Sequence, residues 1–180
     1  MKNENNLSLF SLRFGLEEIE HWASRYPAAD DYQVEMVIGP QVRASGYYTK
    51  SALVDICRWK TPRSRPRVAR NPEGFVHAVT QTALSTPDKR LRIEVLTLLD
   101  GVSWPTASVL LHFGHPDPYP ILDFRALSSL GIETPPVYRF DFWWEYVLAC
   151  RHLATGAGVS MRTLDRALWQ YSKENSRSNP

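Results

Sequence analysis

The chain has 180 residues, 43% apolar and 22% charged, proportions of an ordinary globular protein that exclude a disordered or fibrous chain and fit one compact unit of one or two lobes. Its formal charge of +2, from 21 basic and 19 acidic residues, excludes a uniformly basic body but leaves room for a local cationic patch. No run approaches 18 apolar residues, and MKNENNLSLF lacks the apolar core of a signal peptide, so a soluble, intracellular, cytoplasmic chain with no membrane partner is expected. Cys57 and Cys150 stand far apart with no CxxC pair. That spacing excludes a disulfide framework and a cysteine zinc site.

In chain order the pattern predicts an all-α fold. Residues 7–26 place Leu16, Ile19, Trp22 and Ala23 at helical spacing before Pro27. Residues 32–48 carry β-branched side chains around Gly39-Pro40 and read as a short β-hairpin or an irregular connection. Thr49 caps a helix running to about Trp59. Residues 58–70, RWKTPRSRPRVAR, hold six basic side chains, no acidic one and two prolines, and read as an extended loop. Asn71-Pro72-Glu73 starts a helix to about Ser85, and Thr86-Pro87-Asp88 starts another to Leu99. Helices are further expected over 139–154, ended by Gly156 and Gly158, and from Ser160 through Tyr171, with a frayed tail SKENSRSNP.

Residues 96–131, LTLLDGVSWPTASVLLHFGHPDPYPILDFRALSSLG, carry the chemistry. Two helices, 87–99 and about 104–113, are joined only by Asp100-Gly101-Val102-Ser103 and must fold back as a hairpin. Gly101 permits a positive φ at the turn, and the first amides of the second helix point outward at the positive end of its dipole, a natural place for phosphate. This stretch resembles the helix-hairpin-helix DNA glycosylases of base-excision repair. Leu99, Gly101, Val102, Thr106 and Ala107 match the hairpin signature, and Pro120-Ile121-Leu122-Asp123 follows at the family's spacing, with Asp123 twenty-two residues after Gly101. Asp100 replaces a common proline, and Ser103 replaces the second glycine. Bifunctional members carry a lysine where this chain has Pro105, and no lysine lies between Lys89 and Lys173. The resemblance therefore implies a monofunctional enzyme that hydrolyses the N-glycosidic bond of a damaged or mismatched base and leaves an abasic site.

It implies a helix-hairpin-helix lobe over 71–137 and a second lobe from 1–70 with 138–180. The carboxylate that such chemistry needs, ionised and aimed at a sugar gaining positive charge, falls on Asp123. The alternative is that Asp123 only caps the helix beginning at Phe124, in a non-catalytic DNA-binding protein. Double-stranded DNA is the expected partner of a monomer, cytoplasmic or nucleoid-associated, contacted through Gly101, Val102, Ser103 and Thr106 at the hairpin. Arg63, Arg65, Arg67 and Arg70 of the basic segment are the expected phosphate contacts, and Arg125 is a further contact or a salt-bridge partner. A base drawn from the stack needs aromatic walls. Trp104 is the first such residue, lining the pocket or packing the hairpin, with Tyr119 and Trp59 beside it. No metal site is expected: His115 and Asp117 are two ligands without a third. In the resembled family, hairpin carbonyls can hold a monovalent cation; no other cofactor is expected.

The charge of +2 conceals a cancellation. Residues 1–36 carry three basic and seven acidic groups, whereas residues 58–70 contribute +6. Nucleic-acid binding is therefore expected to be local and salt-sensitive.

Overall fold

The computed structural model describes residues 9–176. Among them the regular elements are all helical: α1 (Ile19–Ser24), α2 (Gly39–Ser45), α3 (Lys50–Lys60), α4 (Arg65–Val68), α5 (Glu73–Ser85), α6 (Lys89–Glu94), α7 (Trp104–Gly114), α8 (Phe124–Ser129), α9 (Phe140–Ala157) and α10 (Met161–Asn175). The chain divides into two compact units. A central unit spans Ala28–Tyr119, and a terminal unit joins the described residues up to Pro27 with those from Pro120 onward. The divisions thus fall after Pro27 and Tyr119, not near residues 71 and 137. The reason is packing: the basic segment packs on α3 and meets the hairpin turn at Gly101, whereas α8 packs on α10.

In the central unit, Thr49 Oγ1 accepts the Ala52 N–H at 3.1 Å and opens α3, which buries Leu53, Ile56 and Cys57. Helix α7 packs against α2, α3 and α6. Tyr48 is fully buried; its hydroxyl donates to the Leu110 carbonyl at 2.8 Å, and its N–H donates to Thr80 Oγ1 at 2.9 Å. Those two bonds tie the segment before α3 to α5 and α7.

The β-hairpin expected within 32–48 is not what forms. Gln33–Ile38 is a wide π-helical turn leading directly into α2. Val34, Ile38 and Val42 recur at i, i+4 and i+8 and are all buried, a helical period that the β-branched composition concealed. Pro40 near the start of α2 has no N–H and its ring excludes a carbonyl one turn back, so Gly39 N–H bonds to Val34 five residues earlier.

In the terminal unit, α10 packs against α1, α8 and α9. Its first turn is capped by Ser160 Oγ, which accepts the Thr163 N–H at 3.0 Å. Arg25, just after α1, makes two 2.9 Å bonds to the Glu174 carboxylate, and Ser129 Oγ donates to the Leu168 carbonyl at 2.5 Å. The single helix expected over 7–26 shortens to a 3-10 turn, Leu16–Glu18, and α1. Residues 7 and 8 lie outside the described residues. Upstream of Gly15 the backbone is spent on another element, with Ser11 and Arg13 N–H groups donating to Leu130 and Ser129 carbonyls at 2.9 Å. Helix α9 passes through Gly156 and stops at Gly158, whose φ is +67°. Of the tail expected to fray, Ser172–Asn175 is helical and Ser172 is buried; residues 177–180 lie outside the described residues.

Candidate functional site

The hairpin forms as the spacing predicts. Helix α6, capped by Asp88 Oδ1 accepting the Leu91 N–H at 2.7 Å, continues through a 3-10 turn to Leu98, and α7 begins at Trp104. Gly101 sits between them at φ +80°. A Cβ at Gly101 would lie 2.8 Å from Val68 Cγ2 and 3.0 Å from Val68 N, so both conformation and space require glycine. What the glycine lets approach is α4, in the arginine-rich segment. Val102 is buried and Ser103 is exposed. Ser103 flanks α7 in extended backbone, and its side chain makes no cap bond. The Thr106 side chain is buried.

Asn71 completes this arrangement. Sequence spacing reads it as the cap of α5, yet the flanking residue of α5 is Pro72. The Asn71 amide instead donates to the carbonyls of Val68 and Asp100 at 2.9 and 3.0 Å, while its oxygen accepts the Asp100 N–H at 2.9 Å. Its 3% exposure makes it a buried clip between the arginine-rich segment and the hairpin turn. The Leu99 carbonyl accepts the Val102 N–H at 3.1 Å. The turn is thus closed by this bond and by the Asn71 side chain.

The segment expected to be extended is helical. Pro62–Ser64 forms a 3-10 turn and α4 follows, because both prolines fall in first turns, where a missing N–H costs nothing. Ser64 and Val68, four residues apart, face inward, and Arg63, Arg65, Arg67 and Arg70 are exposed. Arg70 Nε lies 3.8 Å from Asp100 Oδ2, with both side chains more than 60% exposed. The charge of Asp100 beside the turn is therefore partly offset by a loose, solvent-screened pair.

Asp123 belongs to the terminal unit. It adopts extended backbone at the start of α8, and its Oδ1 accepts the Arg125 N–H at 2.8 Å. Preceding it, Ile121 and Leu122 are buried, and the Tyr146 hydroxyl donates to the Ile121 carbonyl at 2.7 Å, fixing the approach of the chain to Asp123. Tyr138 was not legible as a neighbour. Its phenol is held above the usual tyrosine value by burial and by the Asp123 carboxylate, opposed by a hydrogen bond with Thr134. No spacing in the sequence relates residues 123 and 138; their proximity is a product of how the chain returns toward α9.

The three aromatic residues expected at a base pocket differ in placement. Trp104 is half-buried at the start of α7. Tyr119 is 1% exposed; its hydroxyl accepts from Arg92 at 2.5 Å and its carbonyl bonds His112 Nδ1 at 2.7 Å, so its ring is a packing element. Trp59 Nε1 donates to the buried Asp31 carboxylate at 3.1 Å, and with Asp30, Gln33, Val34, Asp55 and Arg58 the ring lines a cavity of about 340 Å³. His115 Nδ1 accepts the Asp117 N–H at 3.0 Å, which places the proton of a neutral ring on Nε2. Among the described residues no three His, Cys, Asp or Glu side chains group as metal ligands, and no helix is long and apolar enough to cross a membrane. Compared with known proteins, the chain matches no protein-family model, no curated protein and no solved structure.

Proposed function

We propose that the protein is a monofunctional DNA glycosylase of helix-hairpin-helix type. Duplex DNA is held by phosphate contacts from the turn Gly101–Thr106 and from Arg63, Arg65, Arg67 and Arg70. Asp123, ionised, stabilises the positive charge that grows on the deoxyribose as a damaged or mismatched base departs, and water completes the hydrolysis. The observation that carries the reading is the positive-φ turn at Gly101 pressed against Arg67 and Val68, which brings the arginine-rich segment against the turn that leads into α7. Anion-binding amides and a cationic surface then reinforce each other. Arg125 is fixed through its backbone to the Asp123 carboxylate, and Pro105 stands where a Schiff-base lysine would be needed.

A second reading is a non-catalytic hairpin protein that only binds DNA. It is favoured by the same 2.8 Å bond, which gives Asp123 a purely structural task. Duplexes carrying uracil, 8-oxoguanine, alkylated adenine or mismatches separate the two when treated with hot alkali after incubation. Alkali-dependent strand breaks that vanish in Asp123→Asn are expected for the glycosylase. Binding without breaks across the panel selects the second reading.

A further inference from the structure

The terminal unit carries a second concentration of positive charge, of which the hairpin reading uses only Arg125. On α10, Arg162, Arg166, Trp169 and Lys173 recur at i, i+4, i+7 and i+11, a narrow stripe away from the buried Leu164 and Leu168. Aromatic rings organise these cations. Lys173 Nζ lies 4.9 Å from the Trp169 ring centre, and the Arg125 guanidinium lies 5.5 Å from the same ring and 5.1 Å from that of Phe124. The guanidinium groups of Arg162 and Arg166 lie 5.4 and 5.5 Å from the Tyr26 ring, and Tyr26 meets Trp169 edge-on at 5.3 Å. Residues from α8, α10 and the chain after α1 thus converge on one array.

Its charge is only partly compensated. Asp165 pairs with Arg162, and Glu174 is taken by Arg25. Arg125 and Lys173 form no ion pair among the described residues. A cation resting on an aromatic face is oriented before a ligand arrives, so less freedom is lost on binding. Beside it, Phe124 presents a ring that is 59% exposed.

We infer that this array is a second nucleic-acid surface, one that takes an unpaired strand. Arg125 and Lys173 contact phosphates, and Phe124 stacks on a base. The pairing of cations with an exposed ring decides the partner. An acidic protein surface would satisfy the charges and leave Phe124 in water, and a duplex hides the faces of its bases, whereas an unpaired strand offers phosphate and a free π-face together. The surface uses only residues of the terminal unit and requires neither the hairpin nor base release, although Arg125 also bonds Asp123 through its backbone.

The test is fluorescence anisotropy of the full chain with an undamaged oligothymidylate of about 20 nucleotides, titrated at several salt concentrations. Arg125→Ala with Lys173→Ala should weaken binding at least about tenfold and lower the slope of log K against log salt by about 1.4, two neutralised phosphates at ~0.7 each. Phe124→Ala should weaken binding by about fivefold or more with the slope unchanged, as the absence of stacking requires. Arg125→Lys with Lys173→Arg should restore the slope, which separates removal of charge from a damaged fold. Replacing Arg63, Arg65, Arg67 and Arg70 by alanine should leave this binding in place. Failure of the wild-type chain to bind, or an Arg125/Lys173 variant with wild-type affinity and slope, overturns the inference. Because the probe carries no lesion, its binding reads this surface alone, whereas failure to release a base from the lesion-bearing duplexes would sink the glycosylase reading and leave this one standing.

Discussion

At the scale of single residues, Asp123 has two separable roles. As a cap it accepts one backbone N–H at 2.8 Å, a bond that asparagine makes equally well and alanine cannot. Asp123→Asn should therefore hold its thermal midpoint close to wild type, whereas Asp123→Ala should lose about 1 kcal/mol in chemical denaturation. Only the charge distinguishes Asp from Asn here, so an activity lost in both variants reports the carboxylate and not the cap. Asn71 is the clearer structural residue. Asn71→Ala leaves the Asp100 N–H without its partner and strips the Val68 and Asp100 carbonyls of a donor; a buried polar group so orphaned costs about 1–3 kcal/mol. Urea denaturation should show that loss together with weaker duplex binding, because the clip fixes the arginine-rich segment to the hairpin turn. A stability within about 0.5 kcal/mol of wild type would show that water replaces it.

At the scale of elements, the arginine-rich segment separates binding from stability. Arg63, Arg65, Arg67 and Arg70 are all exposed, so their joint replacement by alanine should leave the unfolding midpoint nearly unchanged. The same change should flatten the salt dependence of duplex binding by about 0.9 for each phosphate that is no longer neutralised. Unchanged affinity and slope would remove this segment from the interface. The caps at Thr49 and Ser160 and the hairpin turn at Gly101 were legible in the sequence because each is a local rule written within four residues, whereas α6 is capped by Asp88 and not by Thr86, since the helix starts only after Pro87. The segments 33–45 and 62–68 were misread for a common reason: proline in a first helical turn carries the same letters as proline in a loop, and only tertiary burial of Val34, Ile38, Ser64 and Val68 distinguishes them. The cationic stripe on α10 was present at helical spacing, but the apolar stripe on the same helix drew the periodicity.

At the scale of the whole molecule, the total charge of +2 hides how each unit concentrates its cations. The central unit exposes its arginines beside the hairpin, and the terminal unit gathers Arg125, Arg162, Arg166 and Lys173 around aromatic rings. Stability should respond to alkaline pH in both. Burial pushes the Cys57 thiol up to about 12 and the Cys150 thiol higher still, and it also raises the phenols of Tyr48 and Tyr146. These acids keep their protons when folded, whereas the unfolded chain releases thiol protons above about pH 8.5 and phenol protons above about pH 10. The unfolded state therefore binds fewer protons as pH rises, and folding stability falls by up to about 1.4 kcal/mol per pH unit for each group once its unfolded value is passed. Urea midpoints should be level from about pH 7 to 8 and decline through pH 9 and 10. A flat profile to pH 10 would show that these groups are hydrated. Catalysis is a sharper matter than stability. The most direct measurement follows release of free base, by mass spectrometry, from lesion-bearing duplexes under single-turnover conditions with wild-type protein and Asp123→Asn. The account predicts free base and an equal amount of abasic site from at least one lesion with the wild-type chain, and none with an Asp123→Asn protein that still binds the duplex. Base release that survives in Asp123→Asn, or no release from any lesion by a wild-type chain that binds them all, would contradict it.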